Sequence, residues 1–182
     1  MAWVKINLKI CTLKMKNKKS LNTDESKIDG LLTKLFEEIE SRSLGNSEAG
    51  KAMNFYDLDA MTQGLSPGNL YIIGGRPAMG KTSFVLNIAK NIGQFHNLPV
   101  CFFSLETSKK MLSYRLLSMD TGIESGRLRT GRLTQDEWPF LGEAINLYSK
   151  NPIYLIDKST IQVSEIYQFC EEVKNNLSLI HI

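Results

Sequence analysis

The chain has 182 residues, enough for one compact domain and an appendage but short for two. Hydrophobic residues at 42% and charged residues at 23% are ordinary for a soluble globular protein, and no apolar run approaches the roughly 20 residues of a membrane-spanning helix. A net charge of +3 specifies no partner, and the three scattered cysteines, Cys11, Cys101 and Cys170, form no disulfide scaffold or zinc site; they fit a reducing compartment, the cytosol or an organelle interior of bacterial descent.

The charge is unevenly spread. Lys5, Lys9, Lys14, Lys16, Lys18 and Lys19 all precede the first acidic residue, Asp24. Residues 1–23 read as a basic, poorly ordered tail with a brief strand-like alternation at Val4, Ile6, Leu8 and Ile10. Such an arm suits nucleic acid or an anionic surface, or simply water. It has no Arg, unlike a transit peptide. Residues 24–50 read as a helix and a linker. Ile28, Leu31, Leu32, Leu35, Phe36 and Ile39 follow one helical face, ending near Gly45, and the polar stretch Asn46–Lys51 is the linker.

From Leu70 onward strand and helix alternate. Leu70-Tyr71-Ile72-Ile73 predicts a buried strand running into Gly74-Gly75. A helix follows with Val85, Leu86, Ile88, Ala89 and Ile92 inward, broken at Gly93 and at Asn97-Leu98-Pro99. Residues 100–105 predict a second buried strand, and a helix from Ser108 to Met119 stops at Gly122. Thr134 with Glu137 forms a capping box for a helix whose inner face carries Trp138, Leu141, Ile145 and Tyr148. Residues 153–156 predict a third strand, and a last helix runs from Ser164 to Asn176. Cys101 and Cys170 fall among apolar neighbours and read as core. This alternation specifies an α/β fold with helices packed on a parallel sheet.

Between the first strand and its helix lies Gly75-Arg76-Pro77-Ala78-Met79-Gly80-Lys81-Thr82, a phosphate-binding P-loop. Chance produces this pattern in such a chain on the order of 1 time in 100. Gly75 and Gly80 permit backbone angles and close approach that side chains block. The loop N–H groups then converge on phosphates at the positive end of the next helix. Lys81 is placed to reach the β- and γ-phosphates, Thr82 to ligate Mg²⁺, and Ser83 to touch the α-phosphate. Glu106 follows the second strand, where it either polarises the water attacking the γ-phosphate or merely favours a helix N-terminus. Asp157 ends the third strand as a loop carboxylate or a magnesium ligand. Arg127, Arg129 and Arg132 either contact phosphates or face water. His96 and His181 are isolated.

Gly74-Gly75-Arg76-Pro77-Ala78-Met79-Gly80-Lys81-Thr82, followed by Phe103-Ser104-Leu105-Glu106, resembles the motor domain of the bacterial-type replicative DNA helicases, the DnaB family. Arg76, Pro77 and Met79 are positions the general P-loop pattern leaves free. Further similarity runs through residues 55–59, Gly64-Leu65-Ser66-Pro67-Gly68, residues 128–133 with Trp138, and residues 153–157, covering about 28–180. The resemblance implies a RecA-like P-loop NTPase core over residues 51–182, with ATP and Mg²⁺ as ligands and Glu106 as the water-activating residue. It further implies a homo-hexamer joined through the linker helix 28–42, single-stranded DNA in the full-length protein, primase or loader partners, and 5′→3′ unwinding. No membrane partner is implied.

Thr107 stands where the family has Met, Met53-Asn54 where Thr-Gly is typical, and Asp157-Lys158 where Asp-Asp is typical. The family's N-terminal helical domain is missing, as are the elements beyond Leu179: the central part of the sheet, the Walker B aspartate, the DNA-binding loops and the arginine finger. Leu177-Ser178-Leu179-Ile180-His181-Ile182 is what CTG TCT CTT ATA CAC ATC encodes, a transposon end used in sequencing libraries. The chain therefore reads as an ATP-binding fragment whose frame runs into adaptor sequence. A genuine stop codon after Ile182 in genomic DNA would overturn that. The alternatives are a RecA-like recombination or regulatory ATPase and a non-catalytic nucleotide-binding module.

Overall fold

A computed structural model describes residues 28–44 and 50–178, in two compact units divided at Gly68–Asn69. Expectations for the basic tail, Cys11, the centre of the linker, His181 and the last four residues lie outside this range.

In the first unit, α1 (Ile28–Ser43) forms where the apolar stripe predicts it. The stripe is nevertheless uncovered: Ile28, Leu31, Leu32, Leu35, Phe36 and Ile39 are each 47–73% exposed. Arg42 pairs with Glu38 one turn back. Beyond it, Lys51 and Leu65 form an antiparallel bridge through reciprocal backbone bonds of 3.0 and 2.8 Å. The bridge closes a loop around the short helix α2 (Tyr56–Thr62). Asp59 fastens the entry to that helix. Its two carboxylate oxygens accept from the Met53 N–H at 2.8 Å and the Phe55 N–H at 3.1 Å, so donors left unpaired at the helix start are satisfied.

The second unit is an α/β layer structure. Strands β1 (Val100–Ser104) and β2 (Ile153–Asp157) pair in parallel, with Val100 opposite Ile153 and Ser104 opposite Asp157. Before β1 comes α3 (Lys81–His96). Between the strands the chain makes α4 (Lys109–Thr121), α5 (Ser125–Thr130) and α6 (Glu137–Lys150), and after β2 comes α7 (Val163–Ser178). Strand side chains alternate between faces, and each face has its own cover. Cys101, Phe103, Tyr154 and Ile156 pack with Ile166, Phe169, Cys170 and Val173 of α7. Phe169 stands edge-on to Phe103 at 5.8 Å and to Tyr154 at 6.4 Å. The opposite face, with Val100, Phe102 and Ile153, meets α3, whose Val85, Leu86, Ile88, Ala89 and Ile92 are all buried. Each large aliphatic side chain among them contributes about 1.5–3 kcal/mol on burial.

Four expectations need correction. Gly93 does not break its helix; α3 runs through it to His96. A Cβ at this position would come within 2.9 Å of Ile153 Cγ1, so glycine is there to let helix and strand approach. Residues 70–73 form no strand ladder, and Leu70 and Ile72 are more than 60% exposed. An apolar run becomes a strand only where a neighbour supplies backbone partners, and β1 and β2 are paired with each other. On α6 the buried position is Ala144, whereas Trp138, Phe140 and Ile145 are more than half exposed; the helix is rotated from its predicted face. Finally, α2 and α5 were not predicted, since six or seven residues are too few to show a helical period. Among the described residues no helix is long and apolar enough to cross a membrane.

Candidate nucleotide site

The P-loop joins the extended segment 70–76 to the first turn of α3. Gly80 is the N-cap of α3 at φ 80°, the left-handed region open to glycine at no steric cost. Ala78 holds φ 63° despite its side chain, a conformation that costs roughly 1–2 kcal/mol and concentrates at functional loops. Lys81 folds back along the loop. Its Nζ donates to the carbonyls of Gly75 at 2.9 Å and Arg76 at 2.8 Å, and its stem lies 3.4 Å from where a Cβ on Gly75 would sit. An ammonium has three protons, so one remains to donate into the cavity.

That cavity has a volume of about 690 Å³, within the range of small-molecule sites. Residues 77–83 form one side, and Glu106 and Thr107 lie in the same lining. Pro77, Ala78, Met79, Gly80, Lys81, Thr82, Ser83 and Glu106 therefore line one cavity. Gly75 and Arg76 enter through their carbonyls, which hold Lys81. Glu106 is held between two anchors. On one side the Ser104 hydroxyl accepts the Thr107 N–H at 3.1 Å. On the other, Ser108 caps α4, and Asp157 at the end of β2 accepts the Lys109 N–H at 2.9 Å. Its carboxylate ties the start of α4 to the end of β2.

Arg127 is likewise engaged in structure. Its guanidinium makes a bidentate pair with Glu137, both bonds 2.7 Å, and its Nε donates to the Arg132 carbonyl. Glu137 also accepts the Thr134 N–H at 2.8 Å, the reciprocal half of the expected capping box. Arg127 above all, and then Thr134, hold the Glu137 carboxyl below the usual carboxylate range. Arg129 and Arg132 remain exposed at the surface.

Four further lining residues carry no signal in the sequence taken alone: Arg115, Ser118, Met119 and Ser125. The first three stand at i, i+3 and i+4 on α4, a spacing that marks one helical face. That face becomes meaningful only once Glu106 is known to abut the helix.

A Gly-rich turn opening a helix, a lysine folded along it, and a carboxylate at a strand's carboxyl end across one cavity define a P-loop nucleotide-binding α/β protein. Residues 50–182 match the DnaB-like helicase C-terminal domain, and the chain belongs to that family. It is 49% identical over 131 residues to the replicative DNA helicase DnaB of a Nostoc species, covering 72% of this chain and 15% of the relative. The DnaB of Geobacillus stearothermophilus is 37% identical over 153 residues, covering 84% and 34%. Among solved structures, a DnaB-like replicative helicase, studied with its interactions with primase, superposes with a TM-score of 0.72 at 31% identity, covering 86% of this chain and 37% of that one. The second unit shares the RecA-like architecture of helicase motors. The chain spans about a third or less of each of these two curated relatives.

Proposed function

We propose that this chain is the ATP-binding part of a replicative DNA helicase subunit, which in its full-length form unwinds duplex DNA 5′→3′ in the cytoplasm or an organelle interior of bacterial descent. The observation that carries the reading is one cavity lined both by residues 77–83 and by Glu106. Loop N–H groups at the head of α3 bind the β- and γ-phosphates, and the third proton of Lys81 donates to their oxygens. Ser83 lies toward the α-phosphate. Glu106, fixed between Ser104 and Ser108, orients the attacking water and polarises it.

The residues fit magnesium. Thr82 lines the cavity with its hydroxyl unengaged by any hydrogen bond among the described residues. One protein oxygen plus phosphates and water is how Mg²⁺ is commonly held. When bound, the ion neutralises charge on the transferred phosphoryl group. Glu106 is the single carboxylate in the described lining, which favours tight binding with slow turnover by this chain alone.

The exposed stripe of α1 supports docking on an adjacent subunit within a homo-hexameric ring, and the relatives' names, a replicative DNA helicase and one studied with primase, support DNA and primase as partners. Single-stranded DNA as the bound form and a loader belong to the same proposal. ATPase assays with and without single-stranded DNA, on this chain and on a full-length version, test the proposal. Stimulation of the full-length protein by DNA is expected. Equal activity in both would overturn the view that the chain is an incomplete motor.

A further inference from the structure

The Glu106 side chain makes no hydrogen bond or ion pair with any described residue, so its carboxylate is aimed by its backbone alone. That backbone is the turn 105–108, between the last residue of β1 and the first of α4. Leu105 and Glu106 are exposed, so packing does little to fix it. The turn is held instead by two side chains at the strand ends, neither of which lines the cavity. Ser104 and Asp157 stand opposite each other in the β1–β2 register. The buried Ser104 hydroxyl accepts the Thr107 N–H at 3.1 Å, while its carbonyl accepts the Lys158 N–H at 3.2 Å. Asp157 Oδ2 accepts the Lys109 N–H at 2.9 Å, across 48 positions of sequence.

We propose that Asp157 is a positioning residue for ATP hydrolysis: its carboxylate fixes the start of α4 against the sheet and so aims Glu106, with Ser104 as the second hold. The inference rests on the reading of Glu106 as the group that orients the attacking water. Capping alone does not account for Asp157, because Ser108 already caps α4 by accepting the Met111 N–H. Nor does Asp157 stand where it could touch a bound nucleotide, since it lies outside the cavity lining. Its bond acts at the junction itself. One hold grips the chain one residue beyond Glu106 and the other three residues beyond it. The bond to Asp157 has an ionised acceptor, which makes it the stronger of the two. A reacting group displaced by about 1 Å loses roughly 10²-fold in rate, so freeing this junction is felt in turnover. Binding is spared, because the phosphate loop is secured separately through Lys81 and the Gly75 and Arg76 carbonyls.

The alternatives are that Asp157 serves only the stability of α4, or that it binds Mg²⁺, and kinetics separate the three. In a full-length version, kcat, KM and the Mg²⁺ dependence of ATP hydrolysis are measured, with thermal midpoints to confirm folding. Asp157→Ala should lower kcat by on the order of 10- to 100-fold and keep KM within about twofold. Asp157→Asn retains an oxygen to accept the Lys109 N–H and should bring kcat back to within about threefold of the unaltered protein. Lys109→Met removes the exposed ammonium 3.9 Å from Asp157 but keeps the N–H, and should leave kcat unchanged. Added to Glu106→Gln, Asp157→Ala should cause no further loss, since both act through one carboxylate. Ser104→Ala should repeat the pattern of Asp157→Ala more weakly, and it keeps the test decisive if Asp157→Ala does not fold. Full kcat in folded Asp157→Ala, or a further loss on top of Glu106→Gln, would overturn the positioning role. A raised Mg²⁺ requirement, or an asparagine variant as slow as alanine, would overturn it too, because charge rather than the bond would then be acting. Full kcat in Glu106→Gln would instead refute the reading of Glu106 beneath it.

Discussion

At the scale of single residues, Lys81 and Glu106 separate binding from turnover. On the proposed reading Lys81 supplies the charge that a bound triphosphate faces, so Lys81→Ala should abolish measurable ATP binding in calorimetry. Glu106 makes none of the loop's described hydrogen bonds, and its proposed role is to serve the water. Glu106→Gln in a full-length version should therefore keep ATP affinity within about twofold and lower kcat by on the order of 10²-fold or more. Unchanged turnover would remove Glu106 from the chemistry. Glu137 carries a different expectation. Because Arg127 and Thr134 lower its folded pKa beneath the 4.5 of a free glutamate, its contribution is fully present above pH 4.5. That contribution is lost as pH falls through the lowered folded value. Glu137→Gln should thus reduce the thermal midpoint at pH 7 and flatten its decline at acid pH. An unchanged acid limb would show that the pair is not linked to folding.

At the scale of elements, one carboxylate joins three helices. Asp120 on α4 pairs with Lys90 of α3 and accepts a hydrogen bond from the Tyr148 hydroxyl of α6. Burial first, then Asp120, pushes the Tyr148 phenol above its usual pKa, so it stays a neutral donor at any physiological pH. Asp120→Ala leaves a largely covered ammonium without its acceptor and leaves the phenol only the Leu116 carbonyl, at 3.3 Å. It should cost about 1–3 kcal/mol by denaturant unfolding, and Tyr148→Phe about 1 kcal/mol. The double variant should cost less than the sum, since both act through one carboxylate. Gly93 offers a second test. Alanine favours helix by about 1 kcal/mol over glycine, yet its Cβ would press into Ile153 and force α3 from the sheet. Gly93→Ala should therefore lower the thermal midpoint despite its better helix propensity.

The elements also show why reading a face from sequence can fail. Periodicity located α1, α3, α4, α6 and α7, because several apolar residues repeating every 3.6 positions rarely arise outside a helix. It could not say which of two apolar arcs on α6 turns inward. Trp138 and Ile145 compete there with Leu141, Ala144 and Tyr148, and only packing against α4 chooses.

For the whole molecule, the outstanding feature is α1, with six large apolar residues facing water. A stripe of this size on an isolated helix marks a surface for association. Replacing Leu35 and Phe36 with Glu should shift a full-length version from ring to smaller species in mass photometry while leaving ATP binding by the subunit intact. An unaltered assembly would exclude α1 as the joint.

The sequence by itself determined the chemistry that depends on local backbone: the P-loop, its glycines, the lysine and hydroxyl at the head of α3, and the family signature in Arg76, Pro77 and Met79. Those groups act through atoms a few residues apart, so their spacing along the chain is already their geometry. Only the tertiary structure decided the rest. It assigned Asp157 and Arg127 to structural anchors, left residues 70–73 without a ladder, gave Gly93 to helix–strand contact, and brought Arg115 and Met119 to the cavity that Lys81 and Glu106 share. Each of these depends on which distant element supplies a partner, and hydrogen bonds and packing across the fold carry no trace in local spacing.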